Sequence, residues 1–220
     1  MTATFLLFLI LLVLNIPLAY TIGIASLAFF LQNPDLSWVT PVQKMVAATQ
    51  NFPLLAVPFF VLAGNLMNAS GITKRLIRFS NVVVGHISGG LALISCILST
   101  LMGGISGAAA ADAAMETRIL GPAMLKRGYT KGYASAVNAI SALITATIPP
   151  GVGLILYGVT GGVSIGQLFL AGIVPGVIMM FILMITSWRI AKKRGYPVEH
   201  ENPPTLKEVG KAGIDAIWAI

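Results

Sequence analysis

Gly103-Gly-Ile-Ser-Gly-Ala-Ala-Ala-Ala-Asp112 sits in the middle of an apolar run from Val82 to Ala114, and how that run meets a membrane decides the fold. Basic residues flank it on both sides, with Lys74, Arg75 and Arg78 before it and Arg118, Lys126, Arg127 and Lys131 after it. A third cluster, Arg189, Lys192, Lys193 and Arg194, follows later. Short loops rich in Lys and Arg stay on the cytoplasmic side of a membrane. A single crossing by Val82 to Ala114 would place the first two clusters on opposite faces. A re-entrant hairpin that enters from the cytoplasm, turns at Gly103 to Gly107 and returns keeps all three inside. Glycine permits such a reversal because it carries no Cβ.

The composition agrees with that setting. Of the 220 residues 56% are apolar and only 10% charged, where soluble domains are about 25% charged. Mean hydropathy is +0.88. The net charge of +7 would suggest nucleic acid in a soluble domain, but here the cations lie in short loops between apolar runs, so no nucleic-acid partner is expected. Cys96 is the single cysteine and lies in an apolar stretch, which leaves no disulfide framework and no Cys/His metal pattern.

Toward the N-terminus, Met1 to Leu31 lacks the basic start of a cleaved signal peptide and reads as a retained transmembrane helix. Some 28 helical residues reach roughly 42 Å, more than a hydrocarbon core of about 30 Å, so a tilt or a kink near Asn15 and Pro17 is expected. A polar stretch from Gln32 to Asn51 follows, containing Pro34, Asp35 and Lys44, then an apolar run from Phe52 to Met67 closed by Asn68-Ala-Ser-Gly71. Next comes a basic amphipathic piece whose Ile72, Leu76, Ile77 and Phe79 are expected to dip into the acyl boundary. After the hairpin, Gly132 to Tyr157 and Ile165 to Trp188 read as spans separated by a tight Gly161-Gly-Val-Ser164 turn. The N-terminus is then cytoplasmic, 32–51 and 161–164 lie outside, and Lys44 is the only Lys or Arg on the outer face.

Broken helices at membrane depth are tolerated only where protein or water surrounds them, and in secondary transporters they commonly house ions and substrate. This chain has two. At the first, the Ser106 hydroxyl stands beside turn carbonyls, an oxygen set suited to a hard cation; the alternative is a small-residue packing seam. At the second, Ile148-Pro-Pro-Gly151, Pro149 and Pro150 have no N–H, so the carbonyls of Thr145 and Ala146 lose their helical partners. Those oxygens and the Thr147 hydroxyl are candidate cation ligands; the alternative is a simple kink. Ser135, Asn138, Ser141 and Thr145 recur on one helical face.

Asp112 and Glu116 are the only acids between Asp35 and Glu199 and share a face four residues apart. Asp112 is expected to order the tip or attract a cation, and Glu116 to be an interfacial charge beside Arg118. His86 is read as an interfacial anchor, and Phe59, Phe60, Trp38 and Trp188 as packing and interface residues. Gly104-Ile-Ser-Gly107 matches a short motif of intramembrane serine proteases. They need a histidine on a later helix, and the only later one here, His200, lies in a polar tail. Ser106 therefore lacks a base and no catalytic residue is assigned.

Six segments in order resemble the large permease subunit of tripartite ATP-independent periplasmic (TRAP) transporters: Asn51-Phe-Pro-Leu-Leu-Ala-Val-Pro-Phe-Phe-Val-Leu-Ala-Gly-Asn65, Gly85-His-Ile-Ser-Gly-Gly-Leu-Ala92, Ile105-Ser-Gly-Ala-Ala-Ala-Ala-Asp112, Gly128-Tyr129, Ile148-Pro-Pro-Gly151 and Ala171-Gly-Ile-Val-Pro-Gly176. The resemblance implies an all-α polytopic membrane protein, an elevator-type half of the ion transporter superfamily kind with one re-entrant hairpin. It implies a sodium-driven importer of small organic acids in a bacterial inner membrane, with Na+ as coupling ion and no other cofactor. The implied partners are a periplasmic substrate-binding protein and a small four-helix membrane subunit. Mapped onto this chain, Ser106, Gly107 and the Thr145 or Ala146 carbonyl become candidate sodium ligands, with Thr147 beside them and Asp112 in the acidic position. Asn138, Ser141 and Gly151 are candidate substrate contacts. Ala108 and Gly151 stand where the family often has serine, so backbone oxygens would carry those sites.

The expected division is 1–80 for scaffold spans and interfacial helix, 81–188 for half of a transport domain (hairpin 82–117, broken helix 132–158, span 165–188), and 189–220 for an interfacial arm. A large permease is an inverted repeat about twice this long, so the chain is expected to be an N-terminal half that lacks its C-terminal partner half. The alternatives are a carboxylate carrier independent of a binding protein, or a non-transporting membrane fragment or scaffold.

Overall fold

The computed structural model describes residues 2–33, 35–37, 39–50, 52–200 and 202–217, and these form eleven α-helices with no strand among them. Pro34, Trp38 and Asn51, named above, lie outside the described residues. Two compact units divide the chain, Met1–Leu55 and Ala56–Ile220.

In the first unit the expected single span over 1–31 is not formed. Helix α1 covers Thr2–Val13 and α2 covers Leu18–Gln32. Asn15 adopts φ 58°, a left-handed conformation that cannot continue a right-handed helix, and Pro17 becomes the N-cap of α2. The second helix folds back on the first, so that Thr4, Phe5 and Phe8 face Ile22, Ala25, Ser26, Phe29 and Phe30 across an apolar cavity of about 470 Å³. With 12 and 15 residues these helices reach about 18 and 22 Å, less than a hydrocarbon core. The polar stretch that follows contains a helix, α3, Val39–Thr49.

Helix α4, Phe52–Ala69, leads into the second unit. Helix α5, Ile72–Val84, carries Lys74, Arg75 and Arg78 on its exposed face. Its apolar face does not meet lipid as expected. Leu76 is fully buried, and Ile72, Ile77 and Phe79 pack on the protein core, because α6, Gly90–Gly103, and the arm helix α11, Leu206–Ile217, lie against that side. Helix α6 is largely apolar and correspondingly buried. It is enclosed by α5, by α7 (Ala109–Lys126), by α8 (Lys131–Thr147) and by α10 (Ile165–Arg194). Helix α7 runs nine residues past the expected end of the hairpin at 117 and α10 runs past 188, each ending in basic residues that suit a helix C-terminus.

Helix α9, Val152–Gly161, continues α8 after a 47° bend at the proline pair. Gly162 at φ 64° and the Ser164 N-cap then turn the chain into α10. The 30 residues of α10 extend about 45 Å. Among the described residues it is the one helix long and apolar enough to cross a membrane alone; Val39–Thr49 with Pro53–Met67, and Lys131–Thr147 with Val152–Gly161, qualify as bent pairs.

Three connections meet at one pole of this unit. The Gly89 N–H donates to Pro197 O at 3.3 Å, and the Glu199 N–H donates to Gly85 O at 2.8 Å. Arg127 pairs with Glu199 at 3.0 Å, and Arg194 reaches the Thr130 hydroxyl at 3.4 Å. Tyr129, Tyr133 and Tyr196 stack beneath them, and burial pushes the Tyr129 phenol above the usual tyrosine range. The connections α5–α6, α7–α8 and α10–α11 therefore share one end of the unit, while Lys74, Arg75 and Arg78 lie on α5 itself.

Candidate functional site

From that pole α6 runs in and α7 runs out, and side chains on the two helices meet: Ser99 Oγ donates to Glu116 Oε1 at 2.6 Å. The two helices are a hairpin in geometry. Its tip, Gly104 to Ala108, stops against the α8–α9 break, so the two irregular segments found independently in the sequence touch. The Val152 N–H donates to Gly107 O at 3.2 Å. Gly107 has φ 57°, and a Cβ there would overlap the Pro150 carbonyl oxygen, which is why glycine occupies this position. A Cβ on Gly103 would lie 3.2 Å from Thr145 Cα.

Ser106 and Asp112 lie just behind this contact. The Ser106 hydroxyl is shared between Asp112 Oδ1 and Oδ2 at 2.9 and 2.8 Å, and both residues are buried. Asp112 is thereby bonded to the serine of the tip. Gly64 of α4 approaches from another side, where a Cβ would sit 3.1 Å from Ser106 Cβ. Across the break, the Ile148 N–H bonds Ile144 O at 2.9 Å, after which the two prolines supply no donors. Ala146 O lies against Gly151, 2.7 Å from where its Cβ would be. Ser106, Gly107, Asp112, Thr145, Ala146 and Gly151 are therefore neighbours. The Thr147 hydroxyl is not directed to them: it donates back to Leu143 O at 2.9 Å on the exposed side. The Thr147 carbonyl instead faces Gly172 of α10, 2.5 Å from where a Cβ would stand.

Glu116 is not the interfacial charge expected. It is fully buried and receives hydroxyls from Ser95 and Ser99 of α6 and from Ser141 of α8, the last at 3.0 Å. Its distance along α7 from Arg118 is short, but helix rotation turns the two side chains apart: Arg118 is exposed. Asn138 and Ser141 belong to this same cluster, at 0% and 1% exposure. Ser135 lies outside the buried stripe, since its side is exposed. The i, i+4 pair Ser95 and Ser99 on α6 was the signal for a carboxylate partner, and their position inside an otherwise apolar run concealed it. His86 lines a cavity of about 890 Å³ at the basic pole, together with Arg78, Glu199, His200 and Lys211.

Comparison with known proteins now decides the family. The family model for the DctM component of tripartite ATP-independent periplasmic transporters matches residues 5–220. The chain belongs to the DctM family. This permease chain is 36% identical over 98% of its length to the sialic acid TRAP transporter permease protein SiaT of Haemophilus influenzae, of which it covers 35%. It is 35% identical over 94% of its length to the 2,3-diketo-L-gulonate TRAP transporter large permease protein YiaN of Escherichia coli, covering 48% of it. To the C4-dicarboxylate TRAP transporter large permease protein DctM of Rhodobacter capsulatus it is 30% identical over 94% of its length, covering 50%. The permease chain thus spans between a third and a half of these relatives. They are transporter permeases, not enzymes, and the all-helical architecture suits a polytopic membrane protein.

Proposed function

We propose that this chain forms one half of the transport machinery of a sodium-coupled importer of small organic acids. The observation that carries the reading is the junction of tip and break: Gly107 O against the Val152 N–H, with Asp112 holding Ser106 directly behind it. Sodium, as transported coupling ion, would take the Ser106 hydroxyl, Asp112 and backbone oxygens of 145–151. The donor set fits, because hard oxygens of carbonyls, hydroxyls and one carboxylate suit a small alkali cation. The substrate class follows from sialic acid, 2,3-diketo-L-gulonate and C4-dicarboxylate, the acids named for three relatives; Gly151 at the same junction is the candidate contact for it.

In this reading the hairpin is re-entrant, residues 81–188 are half of a domain that moves as an elevator, and the preceding helices belong to the scaffold. A periplasmic binding protein delivers the acid and a small membrane subunit supports the permease in the inner membrane. A carrier independent of a binding protein is distinguished by uptake into vesicles that contain no soluble partner. In a complete transporter containing this chain, Ser106→Ala and Asp112→Ala are expected to lower sodium-dependent uptake at least about tenfold, the equivalent of roughly 1.4 kcal/mol, while membrane insertion persists. Unchanged uptake and sodium dependence in both would remove the tip from the mechanism.

Topology has its own measurement. Cysteines placed at Arg78 and Lys126, before and after the hairpin, should both react with an impermeant maleimide from the cytoplasmic side. Labelling from opposite sides would end the re-entrant reading.

A further inference from the structure

We propose that the cavity at the basic pole is a site for a phospholipid headgroup that carries both a phosphate and a primary amine. The cavity holds about 890 Å³, within the range of about 300–1,000 Å³ that small-molecule sites occupy, and elements far apart in sequence wall it. Arg78 comes from α5, His86 from the α5–α6 connection, Glu199 from the α10–α11 connection, and Glu208, Lys211 and Asp215 from α11. These walls are tied to one another. The Glu199 and His200 N–H groups both donate to Gly85 O, at 2.8 and 3.2 Å, and Glu208 Oε2 accepts the Thr205 N–H at 2.8 Å.

The lining charges select the headgroup. Glu199 already has Arg127 at 3.0 Å, the one ion pair among the described residues. Arg78 and Lys211 therefore line the same cavity as Glu208 and Asp215, two positive and two negative groups, without pairing among the described residues. A purely anionic ligand would meet the carboxylates, and a purely cationic one the cations. A zwitterion answers both, since Arg and Lys bind phosphate oxygens while an ammonium bonds carboxylates. Two further atoms indicate which ammonium. Glu199 Oε1 and His86 Nδ1 are buried with no hydrogen-bond partner among the described residues, and buried polar atoms normally have one. An ionised carboxylate oxygen can only accept, so it needs an N–H, which a primary amine has and a quaternary choline lacks.

Position makes the ligand a lipid and not a soluble phosphoamine. Helix α10, long and apolar enough to cross a membrane alone, ends at this pole in Lys192, Lys193 and Arg194, so the cavity lies at headgroup depth. Helix α11 exposes Leu206 and Ile214 beside its charged residues, as a helix lying in that interface does. Basic pockets at this level capture lipid headgroups.

The test is lipid binding to the delipidated, purified full permease containing this chain, read by native mass spectrometry and by the rise in Tm. Dioctanoyl phosphatidylethanolamine is expected to bind at least about tenfold more tightly than dioctanoyl phosphatidylcholine or phosphatidylglycerol, and Arg78→Gln or Lys211→Gln to weaken it at least about tenfold. Asp215→Asn is expected to remove most of the preference over phosphatidylglycerol. Arg78, Lys211 and Asp215 are exposed, so the three variants should keep the wild-type Tm without lipid. Lys207→Gln, exposed on α11 but outside the cavity, should bind like the wild type. Equal affinity for the three lipids overturns the site. So does the same loss in Lys207→Gln as in Lys211→Gln, which would mean diffuse attraction of lipid to a basic surface. Glycerophosphoethanolamine that binds as tightly as the lipid overturns the lipid assignment. No transport is measured, so failure here leaves the sodium-coupled reading untouched, and failure of uptake leaves this site standing.

Discussion

Gly107→Ala is expected to abolish sodium-coupled uptake by a transporter containing this chain. Two physical costs act together at this position. The residue sits at φ 57°, where an L side chain costs about 1–2 kcal/mol. The added methyl would also occupy the place of the Pro150 carbonyl oxygen, with the backbone of Gly151 3.1 Å away. Backbone cannot yield as the end of a flexible side chain can, so the tip must withdraw and the Val152 N–H to Gly107 O bond is lost. A combined penalty of about 3 kcal/mol or more would shift the tip out of its seated state by over a hundredfold. Gly104→Ala is the matched control: its backbone is ordinary helix, φ −66°, and a Cβ there meets only Leu101 O at 3.6 Å. Uptake in reconstituted vesicles that survives Gly107→Ala would show that the tip need not rest on the proline break.

Glu116→Leu is expected to cost the largest share of stability. Leucine removes the acceptor of three hydroxyls at a place with no access to water. An orphaned buried donor costs about 1–3 kcal/mol. Partial recovery through the carbonyls of their own helices brings the expected sum to about 2–5 kcal/mol. The check is Tm in detergent, where a clear fall is expected and Ser135→Ala, on the exposed side of α8, should leave Tm unchanged. A Tm for Glu116→Leu equal to the wild type would mean that α6, α7 and α8 hold together without this cluster.

Much of this arrangement was legible from local chemistry. Pro149 and Pro150 lack donors wherever they are placed, so the break after Thr147 was readable from two letters. Gly103 to Gly107 made a reversal possible, and the distribution of Lys and Arg pointed to one. Asp112, six residues after Ser106, was near enough in sequence to be assigned to the tip. By contrast, the break at Asn15 was expected as a kink and is a reversal. Proline and asparagine announce that a helix ends, but where the next one goes depends on what its apolar face finds. Phe5 and Phe8 find Ile22 and Phe29. The apolar side of α5 was read as lipid-facing for a related reason, since Leu76 would be buried equally well by acyl chains or by α6 and α11.

Glu116 marks the boundary most sharply. Its neighbours Ser95, Ser99, Asn138 and Ser141 lie 21, 17, 22 and 25 residues away along the chain, and no local rule couples them. Helical period, donor-free prolines and loop charge depend on a few adjacent residues, and from these alone follow an α-helical membrane protein, a hairpin between basic loops, and two breaks able to expose oxygens. That the two breaks meet, and that a carboxylate apparently next to Arg118 is enclosed among hydroxyls, was decided by the packing of α6, α7 and α8, because which face of each helix is buried depends on all three at once.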